Sequence, residues 1–401
     1  MSALSPFRAL RPAPKVAAEV ASVPYDVVST DEARAIAAGH PLSFLHVTRS
    51  EIDLPAGTNP FDASVYAQAV RNFEELKRAA PLVIEDEPSL YFYRLRTGSH
   101  EQTGLAGCFS VDEYDRGLIK KHEKTRKDKE DDRTRHITEL RAQTGVVFLT
   151  YRASSAVNDV ARRVCAGPAV YDFTASDGVS HTVWRVGGGD VRALVDAFAR
   201  LPALYIADGH HRAASAARAR TALAQSSEAA TFIAVAFPDT EVRILPYNRV
   251  VKDLAGKAPV ELLSALGPML APGAGPPAPS RRGDVSMYLE GRWHTLKLPT
   301  PPAGTPRAEA LDVEVLQRQV LEPLLNVGDP RTDKRVDFVG GIRGPAELER
   351  LVSSGRAAVA FSLFPVAVDD LVAIADAGGI MPPKSTWFEP KLRDGLLVHL
   401  I

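Results

Sequence analysis

The chain has 401 residues, 24% of them charged and 45% hydrophobic, with a formal net charge of -1. This is the composition of a soluble globular protein of two or three domains, and so even a charge gives no support to a dominant nucleic-acid surface. No segment approaches the roughly 20 apolar residues that cross a bilayer. No secretory signal is expected, because Arg8 and Arg11 flank too short an apolar run. A cytoplasmic location is expected, with Cys108 and Cys165 reduced and buried.

In chain order, residues 1 to about 55 read as irregular, with a turn-like Val23-Pro24-Tyr25-Asp26 and a short helix over 31–38 capped by Thr30. The clearest amphipathic helix is 61–80, where Val65, Ala69, Phe73, Leu76 and Ala80 share a face. Strands are predicted at 90–95, 105–111, 145–151, 181–186, 204–207, 232–237 and 243–251, with helices at 191–200 and 212–224. A Pro/Gly stretch at 271–279 reads as a linker or exposed loop. Beyond it the pattern gives a hairpin (285–289 and 293–298), a helix over 311–325, strands at 336–339 and 357–363, and a helix over 368–377. This mixture implies an α/β or α+β core. The expected division is an N-terminal segment 1–85, a core 86–255 and a C-terminal α+β domain 256–401.

The most informative run is Asp208-Gly209-His210-His211-Arg212, between an apolar strand and an alanine-rich helix. The first turn of a helix carries N–H groups without helical acceptors and a partial positive charge, so it attracts phosphate. Gly209 lets the backbone come close to a ligand, and Arg212 can fork onto phosphate oxygens. We read this as a phosphate-binding turn, most naturally for a nucleotide; the plainer reading is a capped helix with polar surface histidines.

A second feature is the charged run 120–136. It reads equally as a solvated helix face, with Glu123–Lys127 and Asp131–Arg135 pairs at i,i+4, or as a polyphosphate pocket lined by Lys121, His122, Lys124, Arg126, Arg133, Arg135 and His136. Glu123, or the Glu130-Asp131-Asp132 triplet, could hold magnesium or accept a proton, as could Asp208. In the tail, Lys384, Ser385 and Thr386 present donors beside Trp387 and Phe388, which read as packing onto the core. No P-loop pattern occurs, and His122-Glu123 has Arg126 where a zinc motif needs histidine.

These motifs resemble domain-of-unknown-function family 1015, through 23–28, 43–47, 119–137, 142–151, 177–184, 204–215 and 381–391. More distantly, the Asp-Gly-His-His-Arg turn is similar to that of the ParB/sulfiredoxin-like superfamily, which includes free-serine kinases. The resemblance implies an α/β fold (an α+β mixed sheet) with a ParB/sulfiredoxin-like core and N-terminal and C-terminal elaborations. It also implies nucleotide phosphates at the turn and a glutamate upstream that deprotonates the substrate hydroxyl. His122-Glu123 matches that feature and makes Glu123 the carried-over base, although its distance from Asp208 along the chain exceeds that of a compact core.

The expected function is a nucleotide- and magnesium-dependent phosphotransferase on a small hydroxylated metabolite, with free serine the first to test. ATP or another nucleotide is the expected donor. Glu123, Asp208, His210 and His211 form the expected catalytic set. Gly209, His210, His211, Arg212, Ser215, Lys121, Lys124, Arg126, Arg133, Arg135 and Lys384 would hold the nucleotide, and Asp208, Glu123, Glu130 and Asp131 the magnesium. The alternatives are a non-catalytic nucleotide switch of the partition-protein type and, third, a DNA-binding regulator. No membrane partner is expected, nucleic acid is disfavoured, and a homo-oligomer is left open.

Overall fold

The computed structural model describes residues 3–401. The chain divides into two units. The first comprises Met1–Lys121, Thr125–Val242 and Pro390–Ile401; the second comprises His122–Lys124 and Arg243–Glu389.

The first unit is built on a nine-stranded mixed sheet. Its strands are β1 (Leu4–Ser5), β2 (Tyr91–Thr97), β3 (His100–Ser110), β4 (Ile119–Lys120), β5 (Val147–Tyr151), β6 (Tyr171–Thr174), β7 (Ser180–Arg185), β8 (Leu204–Asp208) and β9 (Thr231–Pro238). They lie in the order β4-β8-β5-β9-β3-β2-β7-β6, with β1 beside β3. Strand β8 runs parallel to β4 and antiparallel to β5, and a bulge between Ile206 and Asp208 ends its regular pairing. Strand β5 is buried along its whole length, as its continuous apolar run requires.

Helices α1 (Thr30–Ala37), α2 (Ala63–Ala79), α3 (Lys127–Leu140), α4 (Ser155–Val164), α5 (Gly188–Phe198) and α6 (His210–Ala222) complete this unit's main elements. Helix α1 starts one residue earlier than expected, and Ser29 rather than Thr30 caps it, in a reciprocal box with Glu32. Helix α2 is capped by Asp62 and buries Val65, Ala69, Phe73 and Leu76 as the spacing predicts. That face shares a core with Phe44, Leu140 and Val398. Residues 3–85 therefore pack into the first unit, through contacts far apart in sequence.

Helix α3 differs from expectation. It begins at Lys127, not at 120, so Glu123 lies outside it. The expected Glu123–Lys127 and Asp131–Arg135 helical pairs give way to Lys127–Asp131 at 2.7 Å and Arg135–Glu139 at 3.6 Å. One face of α3 buries Asp132, His136, Ile137 and Leu140.

The second unit carries a five-stranded antiparallel sheet: β10 (Tyr247–Val251), β11 (Asp284–Leu289), β12 (Arg292–Lys297), β13 (Val336–Gly340) and β14 (Val359–Ser362), ordered β12-β11-β14-β10-β13. Because β10 belongs to this sheet, the unit begins before the expected boundary at 255/256. Helix Gly344–Ser353 covers one face, with Leu348 packed among Val250, Val339 and Ala360. The helix expected over 311–325 is divided by a π-helical segment, Gln317–Leu321, just ahead of Pro323. Proline removes a donor and crowds the preceding turn. No described helix is long and apolar enough to cross a membrane.

Candidate functional site

Strand β8 delivers Asp208 to the sheet edge, and Gly209 turns the chain at φ 95° to start α6. This is left-handed backbone, which glycine adopts without steric cost. A Cβ here would also sit 3.3 Å from the Arg212 guanidinium carbon. Gly209→Ala is expected to destabilise the first unit by about 1–2 kcal/mol, the usual cost of left-handed backbone for an L-residue. Chemical denaturation checks it.

Helices α3 and α6 pack side by side. The Arg126 N–H donates to His211 Nε2 at 3.0 Å, the Ser215 hydroxyl donates to the Glu130 carbonyl at 3.2 Å, and Arg218 reaches Glu130 at 3.2 Å and Asp131. Partner numbers rise together along both helices, so the two run parallel. The alanines Ala213, Ala216 and Ala219 keep α6 slim and buried. Parallel packing sets the two N-termini next to each other. Each helix carries partial positive charge at that end. Helix α3 offsets it with Asp128 and Glu130, whereas α6 has no acid in its first turn. The first intrahelical bond of α6 is Ala213 N–H to Gly209 O, so the helix itself supplies no acceptor to the N–H groups of residues 210–212. Because His211 Nε2 accepts from Arg126, the ring proton sits on Nδ1.

Arg212 points into the protein. Its side chain is only 5% exposed. It donates to the Val146 carbonyl and to Asp26 at 3.1 and 3.3 Å, and lies 3.7 Å from Asp208. Burial opposes its charge, but Asp26, Asp208 and Asp394 outweigh it and hold the guanidinium ionised beyond its ordinary range. Asp394 is fully buried and accepts from the Val146 N–H at 3.4 Å. Burial pushes its carboxyl up to about 7, against the pull of Arg212. Lys391 closes the cluster with an ion pair to Asp208 at 2.8 Å. Three carboxyls thus face two cations, and protonation of Asp394 makes the cluster neutral. Beside it a cavity of about 20 Å³ is lined by Tyr25, Arg133, His136 and Arg212, room for about one water molecule.

The other expected residues are placed as follows. His210 and Ser215 are buried on α6. Arg133 is half-buried, bonded to Asp132 at 2.7 Å and stacked 4.3 Å from the Tyr25 ring. Arg135 stacks 4.3 Å from Tyr66, Arg126 pairs with Asp128 at 2.7 Å, and Lys121 lies 4.4 Å from the Tyr114 ring. Glu123, Lys124 and Lys384 fall in the second unit, with the Lys384 amine 5.4 Å from the Tyr247 ring. The tail residue on Asp208 is Lys391, which the sequence did not single out; nor did it single out Asp26 or Asp394. Their one available signal was chemical, an acid or base inside stretches already carrying the family resemblance or just beyond them.

The donors named for magnesium do not fit a resident metal. Asp208 lies between two cations, Glu130 and Asp131 are bound by Arg218, and among the described residues no three His, Cys, Asp or Glu side chains group to hold an ion.

The arrangement is that of a mixed α/β protein with a charged turn at paired helix N-termini. The chain belongs to the DUF1015 family, a protein family of unknown function, whose model matches residues 4–316. No curated protein matches its sequence. Among solved structures it is similar to a conserved hypothetical protein from Pyrococcus furiosus, at 13% identity and TM-score 0.37 over 74% of this chain and 95% of that one. It is also similar to a free serine kinase in complex with AMP, at 12% and 0.38 over 73% and 91%. A third is SbnI with a C-terminal truncation from Staphylococcus aureus, at 12% and 0.40 over 74% and 87%.

Proposed function

We propose that this chain is a nucleotide-dependent phosphotransferase acting on a small hydroxylated metabolite, free serine being the first to test. One observation carries the reading: α3 and α6 bring their N-termini together at Arg126 and His211. Two aligned dipoles repel unless an anion lies between their positive ends, and phosphate is the anion such ends hold best. Phosphoryl transfer needs positioning and charge stabilisation more than covalent chemistry. The N–H groups of residues 210–212 and the His211 Nδ1–H would hold phosphate oxygens, and Lys391 would add a cation beside Asp208. The acceptor hydroxyl gives its proton to a carboxylate as its oxygen bonds phosphorus and the nucleoside diphosphate leaves. Asp208, on the turn itself, is the proposed base.

The test is incubation with ATP, magnesium and pools of amino acids or polyols, with ADP and phosphorylated product read by mass spectrometry. Asp208→Asn is expected to lower turnover by at least about a hundredfold, the usual scale of a lost general base, while nucleotide binding persists. Full turnover in that variant removes Asp208 from the role. Nucleotide-dependent thermal protection without product favours the non-catalytic switch, and absence of nucleotide binding ends both readings.

A further inference from the structure

The second unit contains an open pocket of about 490 Å³, within the size range of small-molecule sites. Arg249, on β10, lines it and is 3% exposed. Its guanidinium meets only neutral acceptors. Nη1 donates to the carbonyls of Tyr247 and Lys384, and Nη2 to that of Pro383 at 3.0 Å. The Phe338 ring lies 5.0 Å away. These three bonds use three of five donors, leaving the Nε–H and one Nη2–H, the pair that forms the side fork of a guanidinium.

Other buried or half-buried arginines behave differently. Arg133 pairs with Asp132, Arg212 with Asp26, and Arg393 with Asp177. Arg249 makes no ion pair among the described residues. Burial therefore pulls its pKa down to about 9, with no carboxylate close enough to restore it. The rest of the lining carries four acids, Glu309, Glu314, Glu322 and Asp329, and two arginines, each beside one or two of those acids. Arg318 is held by Glu309 at 3.0 Å and Glu314 at 2.7 Å, and Arg331 lies 3.9 Å from Asp329. Lys124, exposed on the lining, is a second cation with no carboxylate partner among the described residues. A buried cation without a counter-ion is costly. A ligand oxyanion seated on the open side fork would remove that cost and gain paired, charge-assisted hydrogen bonds.

We infer that this pocket binds a small metabolite through an oxyanion, phosphate or carboxylate, gripped by the Arg249 fork with Lys124 as the second cation. The site is made entirely of second-unit residues and does not require the turn at Asp208 to bind anything.

The experiment is calorimetric titration of the full chain with inorganic phosphate and, separately, with succinate. Binding of either supports the site, and whichever binds tighter names the oxyanion. Arg249→Met is expected to weaken binding at least about tenfold, as loss of a charge-assisted fork does. Lys124→Met, at an exposed position that leaves the fold intact, is expected to weaken it a few-fold and decides the matter if Arg249→Met does not fold. His211→Ala separates this site from the α6 turn. Binding that survives His211→Ala and fails in Arg249→Met assigns the anion to this pocket. Binding lost in His211→Ala and kept in both Arg249→Met and Lys124→Met overturns the inference and leaves the turn reading standing. Absence of binding by both anions at tens of millimolar overturns it as well.

Discussion

Replacing Arg212 with methionine is expected to cost the first unit about 3–5 kcal/mol, the scale of breaking a buried ion pair from one side. The guanidinium is the shared partner of Asp26, Asp208 and the Val146 carbonyl, and its charge also pulls down the buried Asp394 carboxyl. Without it, those carboxyls face one another with Lys391 on Asp208 and Arg133, itself paired with Asp132, near Asp394. Asp394, already shifted to about 7 by burial, then rises further. A protonated Asp394 is tolerated and an ionised one is not, so the loss should be smaller near pH 6 than near pH 8. Adding Asp394→Asn to Arg212→Met is expected to restore part of the loss at pH 8, because it removes that charge and keeps an acceptor for the Val146 N–H. Hydrogen exchange of peptides covering 147–151 and 204–208 reads this locally. A stability change under about 1 kcal/mol, the scale of exposed ion pairs, together with lost nucleotide binding, would show instead that Arg212 serves the ligand and not the fold.

What the sequence made legible was local. The turn at Asp208 could be read because strand, glycine and alanine-rich helix lie within a dozen residues, and each follows a short-range rule. The same locality hid what Arg212 does. Asp26 is 186 residues away along the chain, and Asp394 reaches the cluster only because the tail pairs with the N-terminal segment at Ser22. In the tail, lysines 384 and 391 are chemically alike, and nothing in their spacing says which meets Asp208. Helix α3 was misplaced for a different reason. Its first residue, Lys127, follows Arg126, whose side chain makes no cap, so the charged run shows no start signal. A continuous charge pattern then reads as a helix from 120. The parallel pairing of α3 with α6 had no sequence signature at all, since it depends on which faces the sheet and α2 leave for them.

Acid is expected to destabilise the first unit well above the usual carboxylate range, chiefly because of His136 and His181, buried in the neutral form. Burial, reinforced by Arg133, pushes His136 down to about 3; burial, reinforced by Arg393, does the same for His181. His136 donates to the Val47 carbonyl at 3.0 Å, and His181 lies 2.8 Å from the Tyr93 hydroxyl. In the unfolded chain each histidine takes a proton near pH 6.5. From there down to about 3 the unfolded state holds one more proton per histidine, so stability is complete above 6.5 and falls with pH below it. Asp394 works in the opposite sense. Its folded carboxyl keeps a proton up to about 7 that the unfolded chain releases near 3.8, so its contribution weakens as pH rises through that window. These three groups together leave a net difference of one proton between about pH 4 and 6.5, or up to about 1.4 kcal/mol lost per pH unit on acidification; His399, held neutral by burial, adds to that loss, and His46, favoured in its charged form by Asp53, opposes it. His136→Gln removes one titrating group and can retain the bond to Val47. It is expected to flatten the profile across this window, read by hydrogen exchange of peptides in α3 and β5 from pH 4.5 to 7. An unchanged slope in that variant would mean that His136 is protonated within the folded chain and that the acid sensitivity arises from other groups.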